Sequence, residues 1–451
     1  MSGKLEAENG HLIIGLGATG LSVAHYLDRC HEPFAIVDTR YHPPGLEAFK
    51  AAFPEASIWL GPLDAELLCK AKSLIVSPGV SLAEPALQEA SEAGVELLGD
   101  IELFCRTVST PILAITGSNA KSTVTSLVGE MARSTGLKVG VGGNIGLPVL
   151  DLLNQGEQDL YVLELSSFQL ETTHSLQAKG AALLNISEDH LDRYADMQDY
   201  TFAKQRIFHH AQSVIYSRED DQTQPIHGQL APRISFGLDQ PPGPEDLGLL
   251  DMAGRTWLVQ GKQQLIAADE VPLAGQHGLL NVMAAYALAA AAGLPLAGLA
   301  EAVRSFQSLP HRCQQVAVKQ GVHYINDSKA TNLGAALAAI QGLSQDFVRL
   351  WLILGGEGKG QDFRVLKTAL QTSIAGVALI GRDASVLAEH LPEGLPCWHS
   401  ETLEAAVKQL ASQAAAGDAV VLAPACASFD QFDNYAQRGE VFIQCIQHLP
   451  D

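Results

Sequence analysis

Short runs of Val, Ile and Leu recur along the chain, each closed by Gly, Ser or Pro: HLIIGLG, SLIVSPG, PILAITG, LYVLELS, AALLNIS, SVIYS, LWLILGG, VALIG and AVVLAPA. Near-continuous apolar runs of this length suit parallel strands covered on both faces, and helical patterns fill the stretches between them. The pattern predicts an α/β fold throughout. Ligands of parallel sheets sit beyond the C-terminal strand ends, which is where the glycines cluster. The stretch 220–244 is rich in Asp, Gln, Pro and Gly and predicts loops and short strands rather than another strand–helix–strand unit. An uncharged run from Val282 to Ala300 is nearly half alanine and is broken by Gly293, Pro295 and Gly298. Alanine is only weakly hydrophobic, so this run predicts a buried helix of a soluble protein rather than a membrane span.

Breaks in the pattern near Gly99 to Thr110 and across 305–310 divide the chain into 1–99, 100–307 and 308–451. Three domains also agree with a length of 451 residues at roughly 150 residues per domain. Composition excludes several classes. With 47% hydrophobic and 18% charged residues the chain is not generally disordered. Lys plus Arg is 29 against 50 for Asp plus Glu, a formal charge of −21. Such a surface has no general affinity for nucleic acid or anionic membranes. An anionic ligand must therefore be held by a few placed cations, helix N-termini or metal ions. The 7 cysteines are scattered without CxxC spacing, against a disulfide framework or zinc knuckle and in keeping with a reduced cytosol. The start MSGKLEAENG lacks the apolar core of a signal peptide.

Two glycine-rich turns carry candidate chemistry. Gly15-Leu16-Gly17-Ala18-Thr19-Gly20 follows the first apolar run directly, and Asp38 ends the next one, Phe34 to Val37. This frame lets backbone approach a diphosphate at a helix N-terminus while the acid takes a ribose hydroxyl. The same frame also admits another nucleotide diphosphate, or a tight strand–helix turn with no ligand. The second turn, Thr116-Gly117-Ser118-Asn119-Ala120-Lys121-Ser122-Thr123, has the order strand, glycine turn, Lys-Ser-Thr and helix of a phosphate-binding loop. Lys121 would neutralise terminal phosphates, and Ser122 or Thr123 could ligate Mg²⁺. The form GxxxxGK[ST] is not met in full, since Ile115 and Ala120 stand at its two glycine positions.

Further along, Glu164 closes a buried run, where a phosphate-loop enzyme places a magnesium carboxylate. His190 stands in the acidic turn NISEDHLDRY, with Lys204 beyond it. The last third holds polar loops at strand ends: LPHR with His311 and Arg312, NDSKATN with Asp327, Lys329 and Thr331, GGEGKG with Lys359, and PACASFDQF with Ser428 and Phe429. Together they suggest a surface facing anions.

ITGSNAKST, GGNIG, LELSSFQLE, NISEDHLDRY, LPHR, NDSKATN, GGEGKG and PACASFDQF occur in the order found in the Mur ligases of peptidoglycan synthesis. The chain resembles that family from Gly15 to Gly439, most closely its D-glutamate-adding branch. The resemblance implies a Rossmann-like first domain, a central P-loop ATPase-type α/β domain and a Rossmann-like third domain. It implies ATP-dependent ligation of D-glutamate to UDP-N-acetylmuramoyl-L-alanine through an acyl phosphate, by a cytoplasmic monomer with small-molecule substrates only. Leu16, Thr19, Asp38, Thr39 and Arg40 would lie near the uracil and diphosphate, with Asn144, Ser166 and Gln169 also on this substrate. Gly117, Ser118, Asn119, Ala120, Lys121, Ser122, Thr123, Asn281, Arg312 and Asp327 would bind ATP. Two Mg²⁺ sites are implied, one on Ser122, Thr123 and Glu164, the other on His190 and a carbamate on Lys204. Lys329, Thr331, Lys359, Ser428 and Phe429 would receive D-glutamate, with Lys121, His190 and Lys204 as the catalytic set. Ala120 departs from the usual glycine and demands a negative φ or some strain. Competing readings are a nicotinamide-dependent dehydrogenase, a non-catalytic nucleotide sensor and a sibling ligase for another amino acid. For Lys204 the plain alternative is a surface lysine paired with Asp199 or another acid.

Overall fold

A computed structural model describes residues 10–226, 231–273, 275–307, 309–344, 346–370 and 374–450. The polar N-terminal stretch 1–9, position 308 at the start of the expected third domain, and position 451 lie outside the described residues. Three sheets follow one another along the chain. The first is wholly parallel, with strands β1 (His11–Ile14), β2 (Phe34–Asp38), β3 (Ile58–Leu60), β4 (Ser73–Val76) and β5 (Glu96–Leu98) in the order β3-β2-β1-β4-β5.

The second sheet is built from β6 (Ile112–Thr116), β7 (Val139–Gly143), β8 (Leu160–Glu164), β9 (Gly180–Leu183), β10 (Val214–Ser217), β11 (Arg233–Phe236), β12 (Leu247–Met252), β13 (Arg255–Gln260) and β14 (Gln263–Ala267). Its order is β14-β13-β12-β11-β10-β9-β6-β8-β7. The third comprises β15 (Gln314–Lys319), β16 (Val322–Asn326), β17 (Leu350–Gly355), β18 (Ile374–Ile380), β19 (Cys397–His399) and β20 (Ala419–Leu422), ordered β15-β16-β20-β17-β18-β19.

Nine apolar runs quoted from the sequence are all strands. The strands β12, β13 and β14 depart from the parallel pattern by pairing antiparallel, as do β15 and β16. The cause is local. Ala253 and Gly254 both have positive φ, 53° and 79°, between the paired residues Met252 and Arg255. That is the backbone of a two-residue hairpin turn, which reverses the chain where a crossover helix would be needed for parallel pairing.

The helices that place the site bury stripes of regular spacing. In the helix Lys121–Ser134 the buried residues Val124, Leu127, Val128 and Met131 recur every three or four positions, so one face packs on the sheet and its first turn stays at the strand ends. Each fully buried Leu or Val there contributes roughly 1.5–3 kcal/mol. The alanine-rich run is helical over Gly275–Ala292, and every side chain from Val282 to Ala289 is 0% exposed. It stops where Gly293 turns left-handed at φ 79°. Among the described residues, no helix is long and apolar enough to cross a membrane.

Candidate active site

The loops after β6, β8 and β9 leave the central sheet side by side, because those strands are neighbours. The loop after β6 is held by Asn185, which follows β9. Ser118 N donates to Asn185 O (2.9 Å) and Asn119 N to Asn185 Oδ1 (2.8 Å). Ala120 then adopts φ 65° and ψ −4° immediately before the helix. Of the two outcomes expected for alanine here the chain takes strain, at a cost of roughly 1–2 kcal/mol for a left-handed L-residue.

Two lysines converge on this turn. Lys121 Nζ donates to the carbonyls of Gly117 (2.8 Å) and Ser118 (3.0 Å), and Lys204 Nζ to the same Gly117 carbonyl (2.9 Å). Burial, opposed in part by the charges of Glu164 and Asp189, lowers the Lys121 pKa. Lys204 is 2% exposed and lies 4.7 Å from the Tyr200 ring centroid. Burial first, and the Lys121 charge second, push its pKa well below the usual lysine value. The surface lysine paired with an acid is thereby ruled out.

Glu164 ends β8 with Oε1 accepting from Asn144 Nδ2 at 2.6 Å, while Oε2 is buried without a hydrogen-bond partner among the described residues. His190, at φ 57°, stands against the Phe168 ring at 4.9 Å between centroids. Burial, then the cations Lys359, Lys204 and Lys121, outweigh the Asp189 charge and lower its pKa to about 4. At neutral pH the ring is uncharged and keeps a nitrogen lone pair for a metal or a proton.

The loops after β16, β17 and β20 face this cluster from the third sheet. Lys329 Nζ lies 4.0 Å from the Tyr435 ring centroid, and burial with the charges of Arg312 and Lys121 lowers its pKa to about 8. Burial also raises Asp327 to about 6 and lowers Arg312. Lys359 Nζ reaches across to Asp189 Oδ1 at 3.1 Å. The wholly buried Arg438 ties two of these loops together, donating to Ser328 O (2.9 Å) and Cys426 O (3.1 Å).

A cleft of about 770 Å³ opens between the two sets of loops. Of the residues expected to bind ATP, all but Gly117 line it: Ser118 to Thr123, Asn281, Arg312 and Asp327. Glu164, His190 and Lys204 line it as well, together with Asn144 and Ser166. Lys329, Thr331, Lys359, Ser428 and the 68% exposed Phe429 complete the far wall. Gln169 does not reach the cleft wall. It is 4% exposed, and its Oε1 accepts from Ser166 N at 3.0 Å while Ser166 Oγ accepts from Gln169 N at 3.2 Å. This reciprocal cap fixes the helix Ser167–Glu171. Asp189, Tyr200, Asn332 and Tyr435 also line the cleft and were missed as site residues. For Asp189 the acidic turn was a usable signal; for the tyrosines only the fold provides one.

Leu16, Thr19, Asp38, Thr39 and Arg40 gather elsewhere, at the C-terminal edge of the first sheet. Asp38 is 1% exposed and accepts from Leu16 N (2.7 Å), Arg40 N (2.8 Å), Arg40 Nε (2.9 Å) and Arg40 Nη2 (2.7 Å). Burial would raise its pKa, but these donors outweigh it and hold the carboxyl below the ordinary range. Its expected role as a ribose acceptor meets a carboxylate whose bonds the protein already supplies. By accepting from Leu16 N it also shapes the turn that follows β1. Tyr41, 66% exposed, lies over Gly61, which follows β3.

Three family models match in succession: "Mur ligase MurD-like, N-terminal domain" over 9–99, "Mur ligase middle domain" over 115–289 and "Mur ligase, glutamate ligase domain" over 311–426. The UDP-N-acetylmuramoylalanine–D-glutamate ligase of Pseudomonas aeruginosa is 48% identical over 446 residues, covering 99% of each chain. The chain belongs to the Mur ligase family. The enzyme of the same name from Marinobacter nauticus is 46% identical to this ligase over 438 residues, 97% of this chain and 98% of that one. The fold is shared with a MurF ligase of Thermotoga maritima in complex with ADP, at TM-score 0.63 and 16% identity, covering 98% of this ligase and 96% of that chain. It is shared too with UDP-N-acetylmuramate–alanine ligase of the same organism, at TM-score 0.61 and 18% identity over 97% and 99%.

Proposed function

We propose that the chain joins D-glutamate to UDP-N-acetylmuramoyl-L-alanine at the expense of ATP, in cytoplasmic peptidoglycan precursor synthesis, as a monomer of three domains spanning 1–99, 100–307 and 308–451. Near-full-length identity to ligases bearing that name supports the substrate assignment. The observation that carries the chemistry is the orphaned Glu164 Oε2 in a cleft whose other wall presents Lys329 and Lys359. A buried carboxylate oxygen without a partner is costly unless a ligand completes it, and Mg²⁺ with one carboxylate, a hydroxyl and phosphate oxygens is such a ligand. Among the described residues no three His, Cys, Asp or Glu side chains gather into an all-protein metal cage, so substrate phosphates would supply the remaining oxygens.

A carboxylate does not condense with an amine because its oxygen leaves poorly. Transfer of the γ-phosphoryl group of ATP to the substrate carboxylate makes an acyl phosphate and ADP; the amine of D-glutamate then attacks, and the tetrahedral adduct expels phosphate. Lys121 and the backbone of 117–123 would hold the phosphates, with Asn281, Arg312 and Asp327 on the rest of the nucleotide. Glu164 with Ser122 or Thr123 would hold one Mg²⁺, and His190 with Lys204 the other; bound Mg²⁺ supplies charge neutralisation at phosphoryl oxygens. For Lys204 this requires a carbamate, formed when its neutral amine adds CO₂ and releases a proton. The low Lys204 pKa favours that neutral amine. Leu16, Thr19, Asp38, Thr39 and Arg40 would seat the uridine diphosphate, with Asn144, Ser166 and Gln169 toward the reacting end.

A phosphate-release assay across D-Glu, L-Glu, L-Ala, D-Ala and diamino acids tests this. Release should require UDP-N-acetylmuramoyl-L-alanine and D-glutamate together. Turnover with a diamino acid and none with D-glutamate would keep the ligase and overturn the acceptor. Reduction of NAD, with no phosphate release, would instead return the dehydrogenase.

A further inference from the structure

Asp189 is 6% exposed and sits where the central and third domains meet. Its Oδ1 lies 3.1 Å from Lys359 Nζ, its Oδ2 accepts from Asn332 Nδ2 at 3.2 Å, and His190 Nε2 is 3.6 Å away. An ammonium on one oxygen and an amide N–H on the other are the partners of a carboxylate. Lys359 comes from the loop after β17, with a left-handed backbone at φ 52° and a side chain 15% exposed toward the cleft. A lysine in this setting carries one strong ionic partner at a time, since two carboxylates brought to it in a poorly hydrated cleft repel each other.

Resting on the acceptor assignment above, we propose that Asp189 is an internal stand-in for a carboxylate of the incoming amino acid. It occupies Lys359 in the ligand-free chain, and the acceptor binds by displacing it. Displacement does not strand Asp189, because Asn332 and His190 remain within reach of its other oxygen. The pair thus makes Lys359 a cation held in place before the acceptor arrives, at the expense of acceptor affinity. Asp189 is a positioning residue with a competitive effect on one substrate only.

The test compares the KM for D-glutamate, by phosphate release at saturating ATP and UDP-N-acetylmuramoyl-L-alanine, in the full chain and in Asp189→Asn. Removing the competing charge should lower that KM by about tenfold, the ratio expected when a charge-assisted bond no longer has to be exchanged. The KM for ATP should not fall with it. Asp189→Glu keeps a competing carboxylate and should stay near the unmodified value. Thermal melting checks the fold, and if Asp189→Asn does not fold, Asp189→Ser is measured by the same criterion. An unchanged or raised KM for D-glutamate overturns the proposal and makes Asp189 a structural tie. If the unmodified chain uses a different acidic amino acid and not D-glutamate, the acceptor assignment fails, and the same KM ratio with that acid decides the role of Asp189.

Discussion

The edge of the first sheet and the central cleft both present charged side chains at strand ends, yet they treat charge in opposite ways. At the first sheet Asp38 is satisfied by four donors from Leu16 and Arg40 before any ligand is present. In the cleft Lys121 and Lys204 share the carbonyl of Gly117, and Glu164 Oε2 has no partner among the described residues. A satisfied site is rigid and adds to stability. An unsatisfied one is held together by the surrounding fold and releases its strain when phosphates and cations arrive. On the proposed function the two edges would divide the work: the first would hold a substrate by shape and backbone, the second by charge that the protein leaves uncompensated.

Substitutions should separate the two behaviours. The largest effect is expected at Lys121→Ala, which should cut turnover by about 10³ or more while leaving the melting temperature unchanged or higher. Lys204→Met should follow the same rule, since replacing a buried charge by an apolar chain of similar volume is neutral to stabilising. Phosphate release and differential scanning calorimetry read both; a drop in melting temperature as large as the loss of activity would erase the contrast. Asp38→Ala should behave in the reverse manner. It leaves Leu16 N and Arg40 without their acceptor, which should cost about 2–3 kcal/mol of stability and weaken the UDP substrate, with ADP binding unaffected by calorimetry.

A smaller effect should follow pH. Lys329 has a pKa of about 8 rather than the usual lysine value because it is buried. It is therefore a cation below about pH 8 and loses its charge above it. If it holds a carboxylate of D-glutamate, the KM for D-glutamate should be flat below that point and rise by up to about tenfold per pH unit above it. A flat profile to pH 9.5 would take Lys329 out of the acceptor site. The smallest effect is expected at Ala120→Gly, which relieves the left-handed alanine at φ 65°. After the greater chain entropy of glycine is counted, the gain should be about 0.5–1 kcal/mol, read as a rise in melting temperature with turnover retained.

Much of this arrangement was legible in the residues. The nine apolar runs became strands because burial on both faces of a parallel sheet leaves its mark as consecutive Val, Ile and Leu, a local signal. Lys121, Glu164 and His190 were legible for the same reason, each standing at the end of an apolar run or just beyond the loop that follows it. Less legible were the antiparallel strands β12 to β14, half-exposed runs whose turn rests on an alanine with positive φ. The capping box of Gln169 was not legible, because a cap and a substrate contact call for the same polar residue type.

The sequence by itself determined the strand ends, the phosphate loop and the supply of cations, since all of these depend on neighbours along the chain. Tertiary structure alone decided which charges are compensated. Lys359 meets Asp189 across 170 residues, Lys204 meets Gly117 across 87, and Leu16 N meets Asp38 across 22. A side chain's charge state and its freedom to bind depend on distance and on exclusion of water. Both are properties of packing, and no local pattern encodes them.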